Sequence, residues 1–166
     1  MKVTDLMTTP VKTCRTTALL GDAAHIMLEA DCGCVPAVDS RGRLAGMLTD
    51  RDVCLAVAAR HQSPWEIPVR DVMSPNIVTV PIDADVTAAL VAMKEHRLRR
   101  VPVVDDQDHV KGLISIDDAI RNTGLAPGGL PAEAVVDVLR HICTCTEPAV
   151  VQPPERRPRE RASFTG

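Results

Sequence analysis

The sequence predicts an α+β fold made of two copies of one β-α-β-β-α unit, and three observations predict it. A phrase is written twice, GMLTDRD at residues 46–52 and GLISIDD at residues 112–118. Asp52 and Asp118 stand 66 residues apart, and the same shift aligns residues 3–54 with 69–120 without a gap, giving 14 identities in 52 positions. Within the aligned copies, short β-branched runs alternate with apolar residues at helical spacing. A repeat of this kind sets the structural unit before any element is assigned.

The identities fall where a fold needs them: Val3 on Val69, Met7 on Met73, Val35-Pro36 on Val101-Pro102, Gly46 on Gly112. Many mismatches are conservative, such as Leu6/Val72, Met47/Leu113 and Thr49/Ser115. NIVTVP (76–81) reads as a strand. Asp83 is placed to cap a helix whose apolar face is Val86, Ala89, Leu90 and Met93, with Leu20, Ala23, Ala24 and Met27 in the first copy. RVPVVD (100–105) is a strand, with Pro102 suited to an edge or a strand start. DDQDH is a polar turn, VKGLIS (110–115) the returning strand, and IDDAIRN opens a second helix.

This reading makes residues 1–60 the first unit, 61–68 (HQSPWEIP) a linker and 69–124 the second unit. Segment 125–145 carries a C-terminal helix, AEAVVDVLRHI (132–142), with Val135, Val136, Leu139 and Ile142 on one face. The Pro- and Arg-rich residues 146–166 are expected to be disordered.

Composition removes several function classes. The chain has 166 residues, is 45% hydrophobic and carries a net charge of −3, so no general affinity for nucleic acid is implied. One Trp, one Phe and no Tyr leave no stacking platform for single strands. The longest apolar run, CLAVAA, is far too short to span a bilayer, and no stretch has signal-peptide length. A cytoplasmic protein is expected, with its six cysteines as thiols.

The unit starts VTDLMTTPVKT and VRDVMSPNIVTV, the strands VPAVD and VPVVD, and the two Gly phrases resemble the CBS domain, the module named after cystathionine β-synthase. The likeness spans roughly residues 1–124, and stand-alone pairs such as the mycobacterial hypoxic-response proteins look most similar. It implies a tandem CBS pair packed through its sheets with pseudo-twofold symmetry and two clefts between the units. It also implies an adenosine ligand (AMP, ADP, ATP or S-adenosylmethionine) and assembly as a homodimer.

Two readings of the repeated phrase stay open. Thr49 with Asp52, and Ser115 with Asp118, have the spacing of a capping box, which satisfies free N–H groups at a helix start. The same geometry suits a ligand. A helix N-terminus attracts phosphate, a hydroxyl can donate to it, and an Asp one turn on can accept from two ribose hydroxyls. The resemblance implies composite clefts. Cleft A would join Thr49 and Asp52 to Ile77, Thr79 and Ala84; cleft B would join Ser115 and Asp118 to Val11, Thr13 and Ala18. It also implies a basic residue just before the VP strand. The second unit has Arg99 and Arg100 there and the first has Gly33 and Cys34, so cleft B is expected to bind an adenosine phosphate more tightly. A solvated basic turn is the plain alternative for the two arginines.

CGC (32–34) and CTC (143–145) invite a zinc or redox reading of Cys14, Cys32, Cys34, Cys143 and Cys145. Cys-x-Cys is tighter than the usual zinc spacing. Cys14, Cys32 and Cys54 align with Val80, Leu98 and Ile120, so buried hydrophobic thiols are the simpler reading. No catalytic constellation, P-loop or dinucleotide fingerprint is present. The expected function is regulatory sensing of an adenosine nucleotide on behalf of an unknown effector protein. The alternative is a ligand-free structural dimer in a stress response.

Overall fold

The structure is a computed structural model that describes residues 1–124 and 129–144. Each unit holds a three-stranded sheet. In the first, β1 (Cys14–Arg15) runs parallel to β2 (Cys34–Val38), which pairs antiparallel with β3 (Leu44–Thr49). In the second, β4 (Val80–Pro81), β5 (Arg100–Val104) and β6 (Val110–Ser115) repeat that order. The repeat holds to the register: Cys34 faces Thr49 as Arg100 faces Ser115, and the shift between Ala37 and Val38 recurs between Val103 and Val104. Helices α1 (Leu20–Glu29) and α2 (Asp50–Arg60) belong to the first unit, α3 (Val86–His96) and α4 (Ile116–Arg121) to the second. Helix α5 (Ala132–Ile142) packs on α3 and α4.

The helix faces are those the spacing predicts. Val86, Ala89, Leu90 and Met93 are buried, as are Leu20, Ala23 and Met27, with Ala24 half-buried. The α3 cap is Asp85 rather than Asp83: its carboxylate accepts from Thr87 N–H at 3.0 Å. That bond, with the Thr87 hydroxyl and the Met1 ammonium, draws the Asp85 pKa down to about 2. The strand expected over 76–81 is only Val80–Pro81. This explains how Pro102 sits in the middle strand: β4 reaches only Val103 and Val104, so Pro102 has a partner on the β6 side alone, Leu113. On α5, Val135 is buried as expected, but Val136, expected on the same face, is 43% exposed, and Val138 is buried. Lys94 pins this helix through Asp137 at 2.6 Å. The tail predicted for 146–166 lies outside the described residues.

Each unit's core is completed by the other unit's lead-in. Val3 and Leu6 are buried among α3, β5 and β6, whereas Ile67 and Val69 are buried with Leu20, Val35 and Leu48 of the first unit. Backbone bonds fix both exchanges. Val3 N–H donates to the Ala84 carbonyl at 3.0 Å, and Val69 N–H to that of Ala18 at 2.8 Å. The stretch read as a linker therefore packs: Leu20 N–H donates to the Ile67 carbonyl at 2.9 Å, and Trp65 lies on Gly21, where a side chain would collide with the indole.

Candidate functional site

The exchange of lead-ins builds the two clefts. After Met7 the chain crosses to β6, where Thr8 and Leu113 exchange backbone bonds at 2.9 and 3.1 Å; after Met73, Ser74 and Met47 do the same on β3 at 2.9 and 3.1 Å. Gly46 and Gly112, inside the repeated phrase, give Met73 and Met7 the space to cross. Each crossing forms part of the wall of one cavity, and each cavity has a volume of about 310 Å3.

Both phrases form complete capping boxes. Thr49 caps α2: its Oγ1 accepts from Asp52 N–H at 3.1 Å, while Asp52 Oδ2 accepts from Thr49 N–H and hydroxyl at 2.9 and 2.6 Å. Ser115 and Asp118 repeat this on α4 at 3.1, 2.9 and 2.6 Å. The difference lies one turn on. Arg121 binds Asp118 Oδ1 at 2.5 Å, so both oxygens of this buried carboxylate are engaged. The repeat puts Leu55 where Arg121 would be, and among the described residues nothing donates to Asp52 Oδ1.

Cleft A is lined by Thr49, Asp52 and Ile77, with Met47, Ser74, Asn76, Val78, Leu98, Arg99 and Arg100. Cleft B is lined by Ser115, Asp118 and Val11, with Thr8, Lys12, Asp31, Cys32, Asp117, Arg121 and again Arg100. The expected pairings of Ile77 with Thr49 and of Val11 with Ser115 are thus brought together. Thr13, Ala18, Thr79 and Ala84 do not line either cavity; Ala18 and Ala84 spend their carbonyls on the crossing lead-ins. The charge expected in cleft B is also redistributed. Arg99, in the bend just before β5, lines cleft A, while Arg100, the first residue of β5, reaches both. Cleft A therefore sets two guanidinium groups against one carboxylate, and cleft B three cations against three carboxylates. Sequence reasoning missed Asn76 and Lys12, which carry no motif signal because only the crossing geometry brings them to the walls.

Burial raises the Cys14 thiol pKa to about 11, and it raises that of Cys34 as well, against the pull of the Arg100 charge. Cys32 donates to the Cys34 carbonyl at 3.4 Å. Among the described residues no three His, Cys, Asp or Glu side chains are grouped to hold a metal ion. No helix among them is long and apolar enough to cross a membrane.

The CBS domain family model matches residues 3–59 and 69–123, and the chain belongs to that family. CBS pairs are commonly regulatory modules. Hypoxic response protein 1 of Mycobacterium tuberculosis is 33% identical over 122 residues, 74% of this chain and 80% of that protein. Among solved structures, Hypoxic Response Protein I with two coordinated zinc ions has a TM-score of 0.67 at 29% identity, over 74% of this chain and 99% of that one. The CBS domain pair of protein MJ0100, in complex with 5′-methylthioadenosine and S-adenosyl-L-methionine, has a TM-score of 0.66 at 27% identity, over 73% and 94%. The tandem CBS architecture is therefore that of a group in which one solved member holds adenosyl ligands.

Proposed function

We propose that this protein is a non-catalytic regulatory module that binds an adenosine nucleotide, with cleft A as the tighter site. The observation that carries the reading is the open oxygen of Asp52. A carboxylate oriented by its own helix cap, with one oxygen unengaged, can accept from a ribose diol. Arg99 and Arg100, which line the same cavity, supply charge-assisted donors to a phosphate. Ile77, Val78, Leu98 and Pro102 give the base an apolar wall. A cleft with an excess of positive charge favours AMP, ADP or ATP over S-adenosylmethionine, whose sulfonium adds a cation.

Ligand occupancy would bias how the two units sit on their shared lead-ins, and an effector protein would read that population shift. The cell compartment in this reading is the cytoplasm. Assembly as a homodimer also belongs to it: Leu28 on α1 and Leu55 on α2 are 77% and 54% exposed, and a closed twofold pairing would cover them. Sedimentation velocity at micromolar concentration measures this, and a lone 17.9 kDa species removes it.

Thermal melting of the full chain with millimolar AMP, ADP, ATP and S-adenosylmethionine tests the function. A ligand at a hundred times its Kd adds about 2.7 kcal/mol, a rise of several degrees for a chain of this size. The nucleotides are expected to raise the melting temperature more than S-adenosylmethionine does. No shift with any of the four favours the second reading, a ligand-free structural dimer in a stress response. That reading has its own support, since a complete capping box by itself accounts for each hydroxyl–carboxylate pair.

A further inference from the structure

We infer that Arg100 couples the two clefts, so that an anionic ligand in one weakens the binding of a second anionic ligand in the other. The inference rests on the proposed reading of the clefts as nucleotide sites and adds their regulation. Arg100 and Cys34 are the two residues that line both cavities. The repeat relates them to each other: the shift of 66 residues carries Cys34 onto Arg100, and each faces the cap residue of its own unit across the sheet, Thr49 and Ser115. The wall between the clefts thus sits on the pseudo-twofold, but the repeat has placed a cation on one side of it and a thiol on the other. Burial holds the Cys34 thiol protonated, so this shared wall carries one positive charge for two cavities.

A guanidinium can offer its paired donors to one phosphate at a time. Cleft A has Arg99 as a further cation; cleft B has Lys12, and Arg121 that is already bound to Asp118. A phosphate in cleft A draws Arg100 to its side. The next phosphate, in cleft B, then lacks that contact and meets a second anion on the far side of the wall that Cys34 and Arg100 share. Loss of one charge-assisted contact corresponds to roughly tenfold or more in affinity. A neutral nucleoside makes no demand on Arg100, so adenosine should fill the two clefts without coupling.

Titration calorimetry on the full chain tests this, with AMP as the anionic probe and adenosine as the neutral one. Asn76→Trp provides the reference. Asn76 is exposed and lines cleft A only, so an indole there plugs cleft A and leaves both helix caps intact. AMP is expected to enter cleft B of Asn76→Trp at least about tenfold more tightly than it enters as the second ligand of the unaltered protein. Adenosine should show no such difference, and Arg100→Gln should erase it for AMP. Equal affinities in that comparison, no AMP uptake by Asn76→Trp, or a difference that survives in Arg100→Gln would each overturn the coupling and leave the nucleotide reading standing. Failure of the unaltered protein to bind AMP or adenosine would overturn the nucleotide reading itself, and the coupling with it.

Discussion

Asp52→Asn is expected to weaken AMP binding by roughly tenfold to over a hundredfold, the range set by losing charge-assisted hydrogen bonds to a ribose. Asp118→Asn is expected to leave the tight site within about twofold. The two positions are equivalent in the repeat, so sequence alone gives no reason for the difference. The structure does. Asp118 is 6% exposed, and its two oxygens serve Ser115 and Arg121, whereas Asp52 has one oxygen bound into the Thr49 cap, no donor among the described residues on the other, and a place in the wall of a cavity that Arg99 and Arg100 also line. The isosteric amide keeps the volume at position 52, and the Thr49 hydroxyl still caps α2 through the Asp52 backbone N–H, so loss of binding cannot be ascribed to loss of the helix. Arg99→Ala should weaken AMP much more than adenosine, because only AMP carries the phosphate. Calorimetry on the three variants decides the matter. Loss of the tight site in Asp118→Asn, with Asp52→Asn unaffected, would return the assignment to cleft B.

Local signals made the repeat, the helix faces and both caps legible in the sequence. Met27 and Met93 fall at helical spacing and are buried, and the Thr/Ser-x-x-Asp spacing defines a box that both units close. The exchange of lead-ins was not legible, because nothing in VTDLM or VRDVM says which sheet the segment will join. Two copies of one pattern are equally compatible with a unit packing on its own lead-in or on its neighbour's. The identities of the walls followed from that choice, and so did the destinations of Arg99 and Arg100. Two adjacent arginines read as one basic patch, yet Arg99, before the strand, lines cleft A alone and Arg100, which opens the strand, lies on the wall shared with cleft B. Conversely, Ala18 and Ala84 matched the family pattern by sequence while their carbonyls hold the crossing chain.

Gly46→Ala is expected to be among the most destabilising single-methyl changes in the chain, lowering stability by about 1–3 kcal/mol, the usual penalty of overpacking. An added Cβ at Gly46 would stand 2.5 Å from Met73 Sδ, 2.8 Å from Met73 Cγ and 3.1 Å from the Ser74 carbonyl oxygen. The Met73 side chain can turn away, but Ser74 cannot, because it is tied to Met47 by reciprocal backbone bonds. At Gly112 the Met7 Sδ and Cγ atoms can likewise turn away, but Met7 Cβ, at 3.1 Å, is fixed to a backbone tied to Leu113 through Thr8, so Gly112→Ala should cost a similar amount. The second-site changes follow from the same geometry. Met7→Ala and Met73→Ala are each expected to relieve the paired glycine change only in part, since the Cβ at position 7 and the Ser74 carbonyl oxygen, each 3.1 Å from the added methyl, remain. Because Met47 and Ser74 both line cleft A, Gly46→Ala should also weaken AMP there, and Gly112→Ala should not. Urea unfolding midpoints at constant m-value measure the stability terms. If Gly46→Ala and Gly112→Ala prove equally mild and both leave AMP binding unchanged, the crossing of Met73 and Met7 over the two strands is not what holds the units together.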